Sequence, residues 1–370
     1  MKNAIFRNSD YLFLVICCSF ISFNSLPINL TYILGFILIC FGILTLILKL
    51  KVNKLTCIYF IFSTIFILSQ FTGLFIANSL YSNEINYLSP LLFYFSWLIS
   101  IFIPNIIPNT LPYDRKKIYL RAINVSLVFL CIETLTRILL YDSSKGFIYA
   151  FKSSYFYFDT NFSGIVIVSL ISFSIYIRKR LNVNINKQIL FLSILLLLTF
   201  SRSAIIAGII SLVVFYRLDK FRFKAYLILL STLAIFSYML YQYLYLDVNF
   251  RDLDGSFNSK FYIFSIAENL YSSLPYTLKF FGIGMGNTEF YLKIFAHNIY
   301  VTFFLEFGII GSFLFILFVV YSLIISKSFS IILWLPIFIC GISLFSAYSP
   351  YIFIINAIII SEEINFKSGA

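Results

Sequence analysis

One histidine, His297, stands in a chain of 370 residues. Histidine is the usual general base near neutral pH. It sits in Ala296-His297-Asn298-Ile299-Tyr300, where a long polar stretch gives way to an apolar one. The same position suits a polar residue that only closes a loop at the depth of lipid headgroups. Arg202 lies between Ser201 and Ser203, flanked on both sides by apolar runs. Its planar guanidinium matches phosphate oxygens in a fork. The other use of such a residue is to snorkel and hold up a hairpin tip. Arg251, Lys260, Lys279 and Lys293 precede the histidine. They suit an anionic ligand or general contact with lipid headgroups. Asp252-Leu253-Asp254 spells a DxD pattern, found where metals hold nucleotide-sugars, but two fixed positions are weak grounds. Cys17, Cys18, Cys40, Cys57, Cys131 and Cys340 all lie in apolar runs without a CxxC pair. With one histidine, they form no metal-ligand cluster, so neither a metal nor another cofactor is expected. Gly282-Ile283-Gly284-Met285-Gly286 lacks the third glycine of a dinucleotide fingerprint and has no βαβ setting. It reads as a turn that brings backbone close to a ligand or a helix.

The elements that must position these groups are set by composition. The chain is 61% hydrophobic and 11% charged, with a mean hydropathy of +0.96. A soluble domain carries roughly 25% charged residues, so there is too little polar surface here for a water-soluble globule. Alternation over about ten residues, the mark of an outer-membrane barrel, is missing. The chain reads as an all-α polytopic membrane protein, residues 1–370 forming one integral membrane domain. A span needs about 20 apolar residues. About twelve segments qualify, near 11–28, 30–48, 56–79, 86–107, 118–140, 161–177, 188–201, 203–217, 225–246, 298–321, 330–346 and 350–361. No small-residue cleavage site follows the first, so a cleaved leader is not expected.

Charge gives the orientation. The net charge is +12, which in a soluble protein suggests nucleic acid; here the positive-inside rule accounts for it, and no nucleic acid partner is expected. One alternate set of connections holds most of the basic residues, among them Lys49, Arg115, Lys116, Arg178, Arg180, Arg222 and Lys224. The other holds fewer, among them Arg137, Lys152, Arg202, Arg251 and Lys260. The first set is expected in the cytoplasm with both termini. Residues 188–217 are read as two short spans meeting outside at Arg202, because one long helix would put the charge near the lipid centre. The outer side then holds a loop near 142–160 and a large one at 247–297. Loops of that length are usually functional. Residues 256–274 suit an amphipathic helix lying on the membrane, with Phe257, Phe261 and Phe264 along one side.

His297-Asn298, followed after nine residues by Gly308-Ile309-Ile310-Gly311, resembles the HNx9GxxG signature of the O-antigen polymerase and O-antigen ligase superfamily. Ser201-Arg202-Ser203 is similar to the family's SRS hairpin, Asp159-Thr160-Asn161 to the DxN element before it, and 281–286 to the glycine-rich piece before the histidine. The ordered set covers about residues 155–311. Where the family often has an arginine early in the large loop, this chain has Lys260, with Arg251 nearby as a substitute.

The resemblance implies a fold like the class C glycosyltransferases. It also implies a metal-independent enzyme of the bacterial inner membrane, with the active site on the periplasmic side and partly on the 247–297 loop. Undecaprenyl-pyrophosphate-linked oligosaccharides would be donor and acceptor, and lipopolysaccharide or related surface polysaccharide the product. His297 would be the catalytic base. Arg202, Arg251 and Lys260 would bind pyrophosphate, and Asn298, Asp159 and Asn161 would contact sugar or acceptor. Gly308 and Gly311 would let a neighbouring helix pack closely. Membrane lipids are expected partners, with room for a chain-length regulator. The expected function is repeat-unit polymerisation. Transfer of the glycan to lipid A core by a ligase is the nearest alternative, and a lipid-linked oligosaccharide flippase the alternative from another class. A transporter is expected to show two related halves with binding groups near the midplane; this chain gathers its polarity in one outer loop.

Overall fold

The structure, a computed structural model, describes residues 8–21, 30–49, 52–81, 87–141, 144, 151–152, 154–157, 159–216, 221–246, 248–251, 255–294, 298–342 and 349–368. Its helices are α1 (Asn8–Phe20), α2 (Leu30–Lys49), α3 (Lys54–Tyr81), α4 (Leu88–Leu98), α5 (Ile103–Ile106), α6 (Pro112–Leu139), α7 (Thr160–Leu181), α8 (Asn186–Leu197), α9 (Arg202–Phe215) and α10 (Phe221–Tyr245). There follow α11 (Gly255–Ser273), α12 (Tyr276–Phe281), α13 (Thr288–Leu292), α14 (Ile299–Thr302), a π-turn (Phe303–Phe307), α15 (Gly308–Ile325), α16 (Ile331–Gly341) and α17 (Pro350–Ser368). No β-strand occurs among the described residues. Where its residues are described, each expected apolar segment falls on helix, with 86–107 divided between α4 and α5. Six stretches among the described residues are long and apolar enough to cross a membrane: Lys54–Tyr81, Leu88–Ile106, Pro112–Leu139, Thr160–Leu181, Arg222–Tyr245 and Ile299–Ile325. The chain is an all-α, multi-pass membrane protein.

Its axis is α7. Every residue from Ser163 to Ile177 is buried, because α6, α8, α9, α16 and α17 all pack on it. A helix with no polar stripe has no face to give to water. Small residues on α7 let its neighbours come close. A Cβ added at Gly164 would lie 2.7 Å from the Cβ of Ala204 on α9.

The segment 188–217 divides as the sequence predicts. α8 ends at Leu197, Phe200 adopts a φ of 53°, and α9 begins at Arg202. The last span differs from its expected end near 361 and continues helical to Ser368. The reason lies in Glu362 and Glu363, which are buried but paired. Arg115 of α6 meets Glu362 at 2.8 Å, and Tyr119 donates to the same carboxylate. Arg180 of α7 meets Glu363 at 2.6 Å, and Tyr176 donates to it. Adjacent residues on a helix point about 100° apart, so one pair of glutamates ties α17 to two different helices.

Further along α17, Asn356 is fully buried. It accepts from the Trp334 indole at 3.2 Å and donates to Tyr59 at 2.9 Å and Ser322 at 2.8 Å. One amide thus joins α17 to α16, α3 and α15.

α11 corrects one expectation. Phe261 does not face lipid: it is fully buried, with its ring 5.8 Å from Phe236 of α10 and 5.0 Å from Phe250, while Phe264 is half-buried with its ring 5.5 Å from Phe236. Ile263 and Ala267, on another side, pack with Leu74 of α3 and Leu278. The helix is held between parts of the protein. Phe257's side chain lies outside the described residues.

Asn356→Leu keeps the volume and removes all three bonds. A buried donor or acceptor left without its partner costs about 1–3 kcal/mol. The variant should unfold in detergent at clearly lower temperature or denaturant than wild type. An unchanged midpoint would show that Asn356 is not a tie between helices.

Candidate active site

The starts of α7 and α9 come together. Asp159 caps α7: its Oδ1 accepts from the Asn161 and Phe162 amides at 2.8 and 3.2 Å. Its Oδ2 accepts from the Asn161 side chain at 3.1 Å. Ser201, buried at the hairpin tip, donates to Asn161 Oδ1 at 2.8 Å. The DxN and SRS elements, forty residues apart, are therefore one hydrogen-bonded unit. Asn161 keeps one amide hydrogen beyond these contacts.

That unit forms one side of a cavity of about 380 Å³. Lys152, Asn161, Arg202 and Lys260 supply its charged and amide groups, and Phe200, Ile206, Ile339 and Ile342 its apolar wall. Thr232 of α10 also reaches it. Arg202 opens α9 and is exposed. Lys260 comes from α11. Burial holds the Lys260 ammonium below the ordinary lysine range; Lys152 adds to this and Asp159 opposes it. No carboxylate lines the cavity among the described residues. Two helix N-termini open onto it, each carrying partial positive charge. The chemistry fits an anion with an apolar attachment.

The predicted residues divide. Asn161, Arg202 and Lys260 line the cavity. Asp159 and Asn298, expected to touch sugar or acceptor, are not in the lining and serve as helix caps. Asp159 spends both oxygens on its cap. Asn298 is fully buried. It caps α14 by accepting from Tyr300 and Val301, and it donates to the Ile342 carbonyl at 2.7 Å. It thereby fixes a residue of the cavity wall to the start of a span. Arg251 is exposed on the turn before α11 and is not part of the lining. His297, Asp252 and Asp254 lie outside the described residues.

Two groups escaped the sequence reading. Lys152 was visible only as a basic residue on the outer side. The second is a buried pair on α6: Arg137 and Glu133 meet at 2.9 Å. Arg137 donates to the carbonyls of Phe151 at 3.4 Å and Leu198 at 3.2 Å, and Ser154 donates to Glu133 at 2.7 Å. This clamp joins the loop before α7 to the α8–α9 tip.

The glycine-rich turn approaches backbone closely, at the π-turn. Ile283 and Gly284 donate to the carbonyls of Leu305 and Glu306 in the π-turn. Gly282 has a φ of 79°, and a Cβ there would lie 2.1 Å from the Glu306 carbonyl oxygen. Gly308, with a φ of 61°, would bring its Cβ to 2.3 Å from the Gly282 nitrogen. Gly308 is thus a seat for the loop and not a helix-packing glycine, whereas Gly311 does face α3, at Gln70. The fully buried Glu306 completes the latch by accepting from Thr288.

A family model described as O-antigen ligase matches residues 188–316, from α8 into α15. That stretch contains the SRS hairpin, Lys260, the latch and the His297-Asn298 pair. The match supports a role in O-antigen or related surface-polysaccharide assembly. No curated protein matches the chain.

Gly282→Ala should undock the 281–292 loop, because no small shift relieves contact with two backbone segments. Limited proteolysis should then cut within that loop. Gly255→Ala, where a Cβ meets nothing within 4 Å, should stay as resistant as wild type. Equal resistance of the two variants would rule out the latch.

Proposed function

We propose that the protein is a membrane glycosyltransferase of the bacterial inner membrane. It polymerises undecaprenyl-pyrophosphate-linked oligosaccharide repeat units at the periplasmic face. The observation that carries this is the cavity where Lys152, Arg202 and Lys260 meet an apolar wall. A diphosphate fits the cations and a polyprenyl chain fits the wall. In the reaction the bond between the donor's anomeric carbon and the diphosphate oxygen breaks. The hydroxyl oxygen of the acceptor sugar forms the new bond to that carbon. Its proton goes to the His297 imidazole, and the negative charge stays on the departing polyprenyl diphosphate. Fixed cations in a site of low dielectric favour that charge as it develops. Asn161, held in orientation by Asp159 and Ser201, has an amide hydrogen to offer an oxygen of either substrate. Arg251 belongs to the approach of the anion and not to the cavity.

A second reading is a ligase that passes the finished glycan to lipid A core. It is favoured by the description of the matching family model. The two differ in product: a polymerase leaves long chains on the polyprenyl carrier.

Purified protein with lipid-linked repeat units should build such chains, and should do so in excess chelator. Arg202→Ala should lower the rate on the order of 10²–10³-fold. Arg202→Lys should lose most activity, since a point charge does not replace a fork. His297→Gln should abolish elongation without preventing membrane insertion. Wild-type ladders from both Arg202→Ala and His297→Gln would sink the mechanism. Transfer only to lipid A core would select the ligase.

Orientation has its own check. A single cysteine at Tyr276, 80% exposed, in a background without the native cysteines, should react with a membrane-impermeant thiol reagent once the outer membrane is permeabilised. Labelling only after the inner membrane is opened would reverse the topology.

A further inference from the structure

We infer that Arg137 of α6 is a positioning residue for the reaction: by bonding two carbonyls it fixes the gap between the loop that carries Lys152 and the hairpin tip that carries Arg202. This rests on the reading of the cavity as the site of glycosyl transfer. Arg137 lies outside the cavity lining and outside the matched stretch 188–316. Its effect passes through the two segments that it joins.

One nitrogen of Arg137, Nη1, donates to the Phe151 carbonyl at 3.4 Å and to the Leu198 carbonyl at 3.2 Å. Phe151 directly precedes Lys152, and Leu198 leads through Thr199 to Phe200 and Arg202. Lys152, Phe200 and Arg202 all line the cavity. Leu198 closes α8, where the last carbonyls have no partner within the helix. Phe200 has a φ of 53°. That left-handed conformation is costly for a bulky residue and persists only where the surroundings hold it. Arg137 holds the chain on one side of Phe200, and Asn161 holds Ser201 on the other.

The loop is tied to the same point through Glu133. The Tyr157 amide donates to Ser154 Oγ at 3.1 Å, Ser154 donates to Glu133 at 2.7 Å, and Glu133 pairs with Arg137 at 2.9 Å. The side chains of Arg137 and Glu133 are 1% and 0% exposed. Apolar side chains of similar volume often stabilise a bundle as well as a buried ion pair does. They cannot bond two carbonyls on separate segments. Removing the pair as a unit therefore separates positioning from plain stabilisation.

The test is the double variant Glu133→Gln with Arg137→Met, as full-length protein in lipid nanodiscs turning over lipid-linked repeat units. It removes both charges together, keeps an acceptor for Ser154 and deletes the bridge. Its thermal midpoint should stay near that of wild type. Its kcat should fall about ten- to hundredfold, the scale for a displaced reacting group. Its KM should stay within about threefold, since Arg202 acts on charge that develops in the transition state. Hydrogen exchange should quicken at the Tyr157, Thr160 and Phe200 amides, which bond within the two segments, and stay unchanged in α15 and α17. Arg137→Lys, which keeps a charge beside Glu133 without the planar fork, should have a kcat between those of the double variant and wild type. Wild-type kcat in both variants would overturn the positioning role. So would exchange that quickens evenly through the bundle, or a lower midpoint with wild-type kcat per folded molecule, which would make the pair a plain stabiliser. A wild type that forms no glycan product, with exchange quickened only in the two segments of the double variant, would overturn the reading of the reaction and uphold the bridge.

Discussion

Hydrocarbon offers a polar group nothing to bond to, and that constraint decides where this chain can place its charges. Three buried carboxylates inside the bundle are each paired with an arginine. Glu362 and Glu363 are taken by Arg115 and Arg180, and Glu133 by Arg137. Asn356 is taken by three helices at once. These contacts give α6, α7 and α17 a fixed register that apolar packing alone leaves loose, since lipid tails are as apolar as leucine. Lys152, Arg202 and Lys260 come together around one cavity whose described lining holds no carboxylate, and under the proposed function an anionic ligand meets them there.

The positions of the helices were legible because the physics that sets them is local. Twenty apolar residues make a span whatever surrounds them, and a charge at the middle of 188–217 forces a break. The end of α17 was not legible, because the partners of Glu362 and Glu363 lie more than 180 residues away in sequence. The lie of α11 was misread for a related reason. An apolar face looks the same in sequence whether lipid or Phe236 covers it.

The site was legible in part. Arg202, Lys260 and Asn161 line one cavity. Asp159 and Asn298 show the limit. A short polar side chain before a helix is as suitable for capping as for holding a ligand, and both residues cap. Lys152 had no motif around it, only the anomaly of a basic residue on the outer side. Gly308 sits in a recognisable spacing, but its task depends on Gly282 in a different segment. Cap, latch and ligand contact are therefore adjacent in sequence and separate in space. The caps at Asp159 and Asn298 hold the cavity's walls, the glycine latch holds the 281–292 loop, and Lys152, Arg202 and Lys260 line the cavity.

The glutamate pair on α17 has a consequence for how the protein is made. Chains enter the membrane from the N-terminus as they are synthesised. Arg115 and Arg180 are therefore delivered well before Glu362 and Glu363. Until α17 arrives, two guanidiniums wait at helix ends without the carboxylates that will neutralise them, and α6 and α7 lack their final ties. A chain stalled before α17 would carry that positive charge without these two carboxylates. The bonds from Glu362 and Glu363 thus close the bundle around α6 and α7 only once α17 has been inserted.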